Sequence, residues 1–243
     1  MYILLKKELN NFFNSLIGYI AIIVFLVINS LLLWVFPTEY NIFQSGYANL
    51  DGLFFLGPFV FLFLIPAITM RFFADEKRTG TIELLLTKPF SDLQIILAKY
   101  FAGLILVLFS LLPTLVYYFT VFEFGMPPGN VDSGATWGSY IGLFLLGAGF
   151  VSIGIFASAI TENQIIAFII ALFLCAFAYI GFELIYSLDF FGQLDLFIRN
   201  LGIYAHYNSI SRGVIDSRDL IYFLSLIALF LLLTKLTLES RKW

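Results

Sequence analysis

This 243-residue chain is poor in the residues from which catalytic and metal sites are built: it has one cysteine, Cys175, one histidine, His206, and a charged fraction of only 12%. One cysteine excludes an intrachain disulfide, a thiolate metal cluster and CxxC redox chemistry. Cys175 lies deep in an apolar run and reads as a small packing residue of a membrane helix. One histidine excludes a multi-histidine metal site. No Gly-Lys dipeptide occurs, so the GxxxxGK[ST] loop that cradles nucleotide phosphates is absent, as is HExxH. No Ser-His-Asp arrangement is feasible inside the apolar runs. The chain is therefore not expected to be an enzyme, and any ATP that drives it must be hydrolysed by another polypeptide. The shortage of charge excludes a soluble globular domain, which would carry about twice this share.

What the chain has instead is apolar surface: 61% hydrophobic residues, 19% aromatic, and a mean hydropathy of +0.97. These values indicate a polytopic membrane protein. Thirty Phe and thirteen Tyr suit a lipid-facing surface with interfacial aromatic belts. Six runs are long enough to span, at about 16–36, 53–72, 100–122, 139–160, 165–187 and 220–238, which predicts an all-α fold in a single domain over 1–243. The first run has 21 residues, enough for about 30 Å at about 1.5 Å per residue. No small-x-small cleavage signal follows it, so it reads as a permanent helix.

The thirteen Lys and Arg residues sort by connection. Alternate assignment puts ten on one side: Lys6, Lys7, Arg71, Lys77, Arg78, Lys88, Lys99, Lys235, Arg241 and Lys242. Three, Arg199, Arg212 and Arg218, fall on the other. The positive-inside rule makes the richer side cytoplasmic, with both termini there. The fourth-to-fifth turn must reverse the chain within Thr161 to Gln164.

In residues 1–15, Leu5, Leu9, Phe12, Phe13 and Leu16 fall at helical spacing, while Lys6, Lys7, Glu8, Asn10, Asn11 and Asn14 occupy the remaining face. This predicts an amphipathic helix lying in the interface. Pro37, Pro127 and Pro128 punctuate connections; Pro58, Pro66 and Pro113 lie within or at the ends of spans, where kinks are commonly structural. Gly142, Gly147, Gly149 and Gly154, with Ser158, form a small-residue seam on the fourth span, within the chain or across a dimer. Asn29 and Glu183 are the polar residues inside spans; Glu183 is close enough to the interface to snorkel or bind an outer-loop backbone.

The connection 71–99 carries five of the thirteen cationic residues. Gly80 breaks a charged stretch, Thr81 is placed to act as an N-cap, and Ile82, Leu84, Leu85 and Leu86 precede Lys88-Pro89. This predicts one or two turns of amphipathic helix. A second short helix is expected from Ser91-Asp92, carrying Leu93, Ile96 and Leu97 towards Lys99. A capped helix held at the membrane surface between two spans makes a rigid lever.

The run Asp75-Glu76-Lys77-Arg78-Thr79-Gly80-Thr81-Ile82-Glu83-Leu84-Leu85-Leu86-Thr87-Lys88-Pro89, continuing to Lys99-Tyr100, resembles the signature of type-2 ABC transporter permeases. It has the acidic-basic stretch, Gly-Thr, Glu-Leu-Leu, Pro, and the Lys that opens the next span. Ala98 departs from the Gly common before that Lys. Ile17-Gly18-Tyr19, Phe63 to Ala67, Pro113-Thr114 and Asn163-Gln164-Ile165 are similar to the gliding-motility-associated permeases of Bacteroidota.

The resemblance implies a permease of an export-type transporter in the bacterial cytoplasmic (inner) membrane. Its coupling helix would dock on a separate ABC ATPase subunit through Glu76, Arg78, Gly80, Thr81, Ile82, Glu83, Leu84, Leu85, Leu86 and Pro89. Lys6, Lys7 and Glu8 would flank that interface. The chain would bind no cofactor, with ATP-Mg on the partner, and would pair with a copy of itself or a related permease, in the lipid bilayer and without nucleic acid. The resemblance also implies that segment 188–219 dips partly into the outer leaflet as short re-entrant helices; an ordinary folded outer loop is the alternative. Two other classes compete: a scaffold that docks cytoplasmic proteins and moves nothing, and a secondary transporter, which the scarcity of midplane carboxylates and of any inverted repeat disfavours.

Overall fold

The computed structural model describes residues 2–86, 90–189, 192–214 and 216–240; the side chains of residues 17, 84–86 and 193 fall outside the described set. Among the described residues, six helices are long and apolar enough to cross a membrane: Gly18–Val35, Asp51–Arg78, Asp92–Phe124, Ser133–Ile160, Gln164–Ser187 and Ser217–Glu239. All described secondary structure is helical.

The fourth span is the axis of the bundle. In its most apolar window 78% of residues are buried, against 28%, 22% and 17% for the first, fifth and sixth spans, which lie at the periphery. Its glycines permit this. A Cβ at Gly147 would meet Val107 of the third span at 2.7 Å, one at Gly149 would meet Leu226 of the sixth at 3.0 Å, and one at Gly154 would meet Thr69 of the second at 2.0 Å. The seam therefore faces inward, with the second, third and sixth spans seated on it. It begins earlier than its apolar run suggests, because Asp132 accepts a hydrogen bond from the Ala135 N–H (3.0 Å) and caps the helix there.

The fourth and fifth spans form an antiparallel hairpin. Asn163 caps the fifth span by accepting from the Ile165 N–H (2.9 Å), and the fully buried Cys175 lies against the Phe150 carbonyl. Pro58 and Pro66 sit within a continuous helix, Asp51–Thr69, whereas Pro113 falls in a 3-10 turn, Leu112–Thr114, that interrupts the α-helix of the third span. In the first span Asn29 is fully buried and donates to the Phe25 carbonyl (2.8 Å).

Segment 188–219 folds back into the bundle. Its helix Ile203–Ile210 buries Ile203, Tyr207 and Ile210; the Tyr207 hydroxyl donates to the Phe54 carbonyl, and Ser139 donates to Ser211 O (2.7 Å). His206 Nδ1 stands 2.6 Å from Asp219 Oδ1, with the ring stacked on Tyr222. Glu183 pairs with the Arg199 side chain (3.1 Å), so its partner is a charge rather than a backbone group. A cleft of about 420 Å³ opens at this end, lined by Phe54, Phe55, Tyr179, Tyr204 and Tyr207. The opposite end gathers the N-terminal helix, the connection after the second span, the start of the third, the fourth-to-fifth turn and the end of the sixth.

Candidate functional site

At that terminal end, the second span stops at Thr69, turns over 70–73, and resumes as two short helices. Ala74–Arg78 is called the root helix here and Thr81–Leu86 the tip helix. Gly80 joins them at φ +69°, a left-handed conformation that glycine adopts without the Cβ penalty. Thr79 donates to Asp75 O (2.8 Å) and closes the root helix. Thr81 is the first residue of the tip helix rather than its cap, because Gly80 occupies the preceding position and the Thr81 hydroxyl turns back to Thr79 (2.9 Å).

The root helix is fastened on every side. Ser158 of the fourth span accepts from the N–H groups of Phe73 (2.9 Å) and Ala74 (3.0 Å) and donates to Met70 O (3.0 Å). One hydroxyl thus satisfies backbone groups that the break at 70–73 leaves without helical partners. Lys77, buried, donates to the Ala159 carbonyl at the C-terminal end of the fourth span, where a cation also suits the helix dipole. Gln164, opening the fifth span, donates to Asp75 (2.7 Å).

Glu76 makes the fourth attachment. Its carboxylate lies 2.9 Å from Lys99 Nζ of the third span and 3.0 Å from Lys7 Nζ of the N-terminal helix. Lys99 also pairs with Glu8 at 3.1 Å, with its side chain only 2% exposed and its ammonium 5.1 Å from the centre of the Phe73 ring. Burial works against the charge of Lys7, but the Glu76 and Glu8 carboxylates outweigh it and raise its pKa above the ordinary 10.5.

The N-terminal helix, Tyr2–Phe13, is rotated from its expected orientation. Its buried face is Leu4, Glu8 and Phe12, with Phe12 edge-on to Phe72 at 5.3 Å; Leu5, Leu9 and Phe13 are half-buried, and Leu16 is exposed. Glu8 leaves the polar face because its partner, Lys99, lies beneath the helix. Lys6 and Lys7 stay outside. A second short helix from Ser91 does not form as a separate piece. Ser91 and Gln94 make a capping box that starts the third-span helix itself, Asp92–Leu111.

The expected docking residues divide into two sets. Arg78, Gly80, Thr81 and Glu83 are exposed, whereas Glu76 and Glu8 turn inward and Ile82 joins the core. Leu84, Leu85 and Leu86 lie on the tip helix with side chains outside the described set, and Pro89 lies outside the described residues. Sequence reasoning missed Ser158, Lys77, Gln164 and Lys99 as fastenings. Ser158, Lys77 and Gln164 find their partners 82 to 89 residues away, and Lys99 bridges Glu76 to Glu8, 91 residues away; the available signal was only that a serine, lysines and a glutamine stand at the ends of apolar runs.

The described residues of the tip therefore offer exposed polar groups, Thr81 and Glu83, on a root tied to four other elements. Comparison with the curated proteins finds no match. A family model, described as ABC-2 family transporter protein, matches residues 2–239, nearly the whole chain. Permeases of this family lack an ATPase domain and work with separate ABC ATPase subunits. The chain belongs to the ABC-2 family, as the multi-pass membrane permease component of an ABC transporter.

Proposed function

We propose that the exposed face from Arg78 to Glu83 receives the ABC ATPase subunit, and that the root helix converts its movement into movement of the spans. The observation that carries this is the contrast between the two short helices. Thr81 and Glu83 of the tip are exposed and joined to the root through Gly80, whereas the root is bonded to the third, fourth and fifth spans and to the N-terminal helix. A docking scaffold needs only the first. A lever needs both.

The remaining roles follow from this reading. ATP-Mg is held by the partner subunit. The ten cationic residues that the sequence assigns to one side support a cytoplasmic location for the docking face and for both termini. A second permease chain, identical or related, completes the pathway. The resemblance of Ile17-Gly18-Tyr19 and Phe63 to Ala67 supports an export-type transporter of the bacterial inner membrane linked to gliding motility.

Purification from native membranes in mild detergent tests the docking. The wild-type chain should bring down a stoichiometric P-loop ATPase, and Glu83→Arg, which reverses an exposed charge without touching a span, should insert normally and lose it. Retention of the ATPase and of transporter-dependent function by Glu83→Arg would show that the interface lies elsewhere.

A further inference from the structure

His206 meets an acceptor at each ring nitrogen. Nδ1 stands 2.6 Å from Asp219 Oδ1 in the first turn of the sixth span, and Nε2 stands 2.9 Å from the Asn200 carbonyl. A carbonyl oxygen only accepts, so Nε2 must carry a hydrogen. The short contact at Nδ1 needs a second one, since otherwise a nitrogen lone pair would face a carboxylate oxygen. Whether that hydrogen sits on the ring or on the carboxylate, the pair holds one proton more than a neutral imidazole beside an ionised aspartate. The surroundings reinforce this. The Asp219 side chain is only 8% exposed and its Oδ2 has no hydrogen-bond partner among the described residues, so the histidine is what offsets the buried carboxylate.

We propose that His206 and Asp219 form a proton-operated latch, which ties the turn 200–202 to the sixth span while the extra proton is held and frees it when that proton leaves. The turn joins the short helix Asp195–Arg199 to the helix Ile203–Ile210, whose Tyr204 and Tyr207 line the far-end cleft. On loss of the proton one contact has to open. Buried Asp219 keeps the Nδ1 hydrogen, and the contact given up is the one from Nε2 to Asn200, at the exposed edge. The turn then keeps the bond from the Tyr222 hydroxyl to Leu201 O (2.8 Å). The latched form binds more protons, so it is favoured at low pH and lost as pH rises. The titratable groups on the fourth, fifth and sixth spans packed against this helix include Tyr140, Tyr179, Asp219 and Tyr222, and of these Asp219 and Tyr222 touch the ring. Asp195 is buried at the start of the short helix, Arg199 pairs with Glu183, and Arg212, Asp216 and Arg218 are exposed. Histidine is the residue type among them whose charge ordinarily changes between about pH 5 and 8. The latch stands without the docking reading; only the compartment whose pH it follows, the outer one, comes from the orientation proposed above.

The chain has a single histidine, so ring-15N-histidine labelling of the full chain in lipid nanodiscs reads this ring alone. Spectra and amide exchange are recorded at about pH 5.5 and about pH 8, either side of the ordinary histidine range. The Asn200, Leu201 and Gly202 amides, each bonded within the turn, report on the latch. In the wild type both ring nitrogens should be protonated at the lower pH and one at the higher. Exchange at 200–202, corrected for its intrinsic pH dependence, should rise roughly fivefold, the worth of one hydrogen bond. His206→Gln should abolish that pH dependence. Tyr222→Phe, which removes the Leu201 bond but no titrating group of this range, should speed exchange at both pH values and keep the wild-type dependence. A ring whose protonation is the same at both pH values would overturn the proposal. So would exchange at 200–202 that ignores the ring's titration, or a pH dependence that survives in His206→Gln.

Discussion

At Gly154 an added Cβ would stand 2.0 Å from the Thr69 hydroxyl oxygen and 2.8 Å from its Cβ. Thr69 is fully buried and donates to Ile65 O, so it has nowhere to retreat. Gly154→Ala should therefore destabilise the packing of the second span on the fourth by about 1–3 kcal/mol. A lowered thermal midpoint in detergent would register this, with Gly134→Ala, where the nearest atom is a side-chain oxygen at 3.4 Å, as the control that stays near wild type. Residue identity alone marked Gly154 and Ser158 as small residues on a seam. It did not reveal that Ser158 satisfies three backbone groups of the broken second span, because that role needs the break at 70–73 to be placed beside it. Glu8 and Lys77 were hidden by the same limit: charge reads as exposure until a buried partner is brought to it.

Elements were easier to read than their joints. The apolar runs exceed the length of a bilayer-spanning helix, and six of the described helices meet that test near the expected positions. The tip helix was legible from Gly80 and the apolar block after it. The orientation of the N-terminal helix was not, since Leu4 and Leu5 are equally apolar and only the position of Lys99 selects the face that turns down. Gly80 itself allows a sharper test. Its φ of +69° is left-handed and the space around it is open, so Gly80→Ala meets no clash but carries a conformational cost of about 1 kcal/mol. If the tip helix docks in the observed orientation, ATPase affinity should fall roughly fivefold, measured by titrating purified subunit onto the chain in nanodiscs.

On the scale of the whole molecule, the fourth span is a buried axis, and the attachments of the root helix converge on its terminal end. Its opposite end carries Gly138 and Gly142, against which Gly213 and Ile210 of the 188–219 segment are packed. One rigid helix thus connects the root of the tip helix to the far-end cleft. The central claim is that docking and transmission are separate, the first residing in the tip and the second in the root. The most direct measurement is the labelling rate of Val214→Cys, an exposed far-end position, with and without ATP in the ATPase-bound complex, compared between the parent and Ser158→Ala. Native Cys175 is fully buried and supplies little background. The account predicts an ATP-dependent rate in the parent, and in Ser158→Ala a retained ATPase with most of that dependence gone. An undiminished ATP response in Ser158→Ala, with the ATPase still bound, would contradict it.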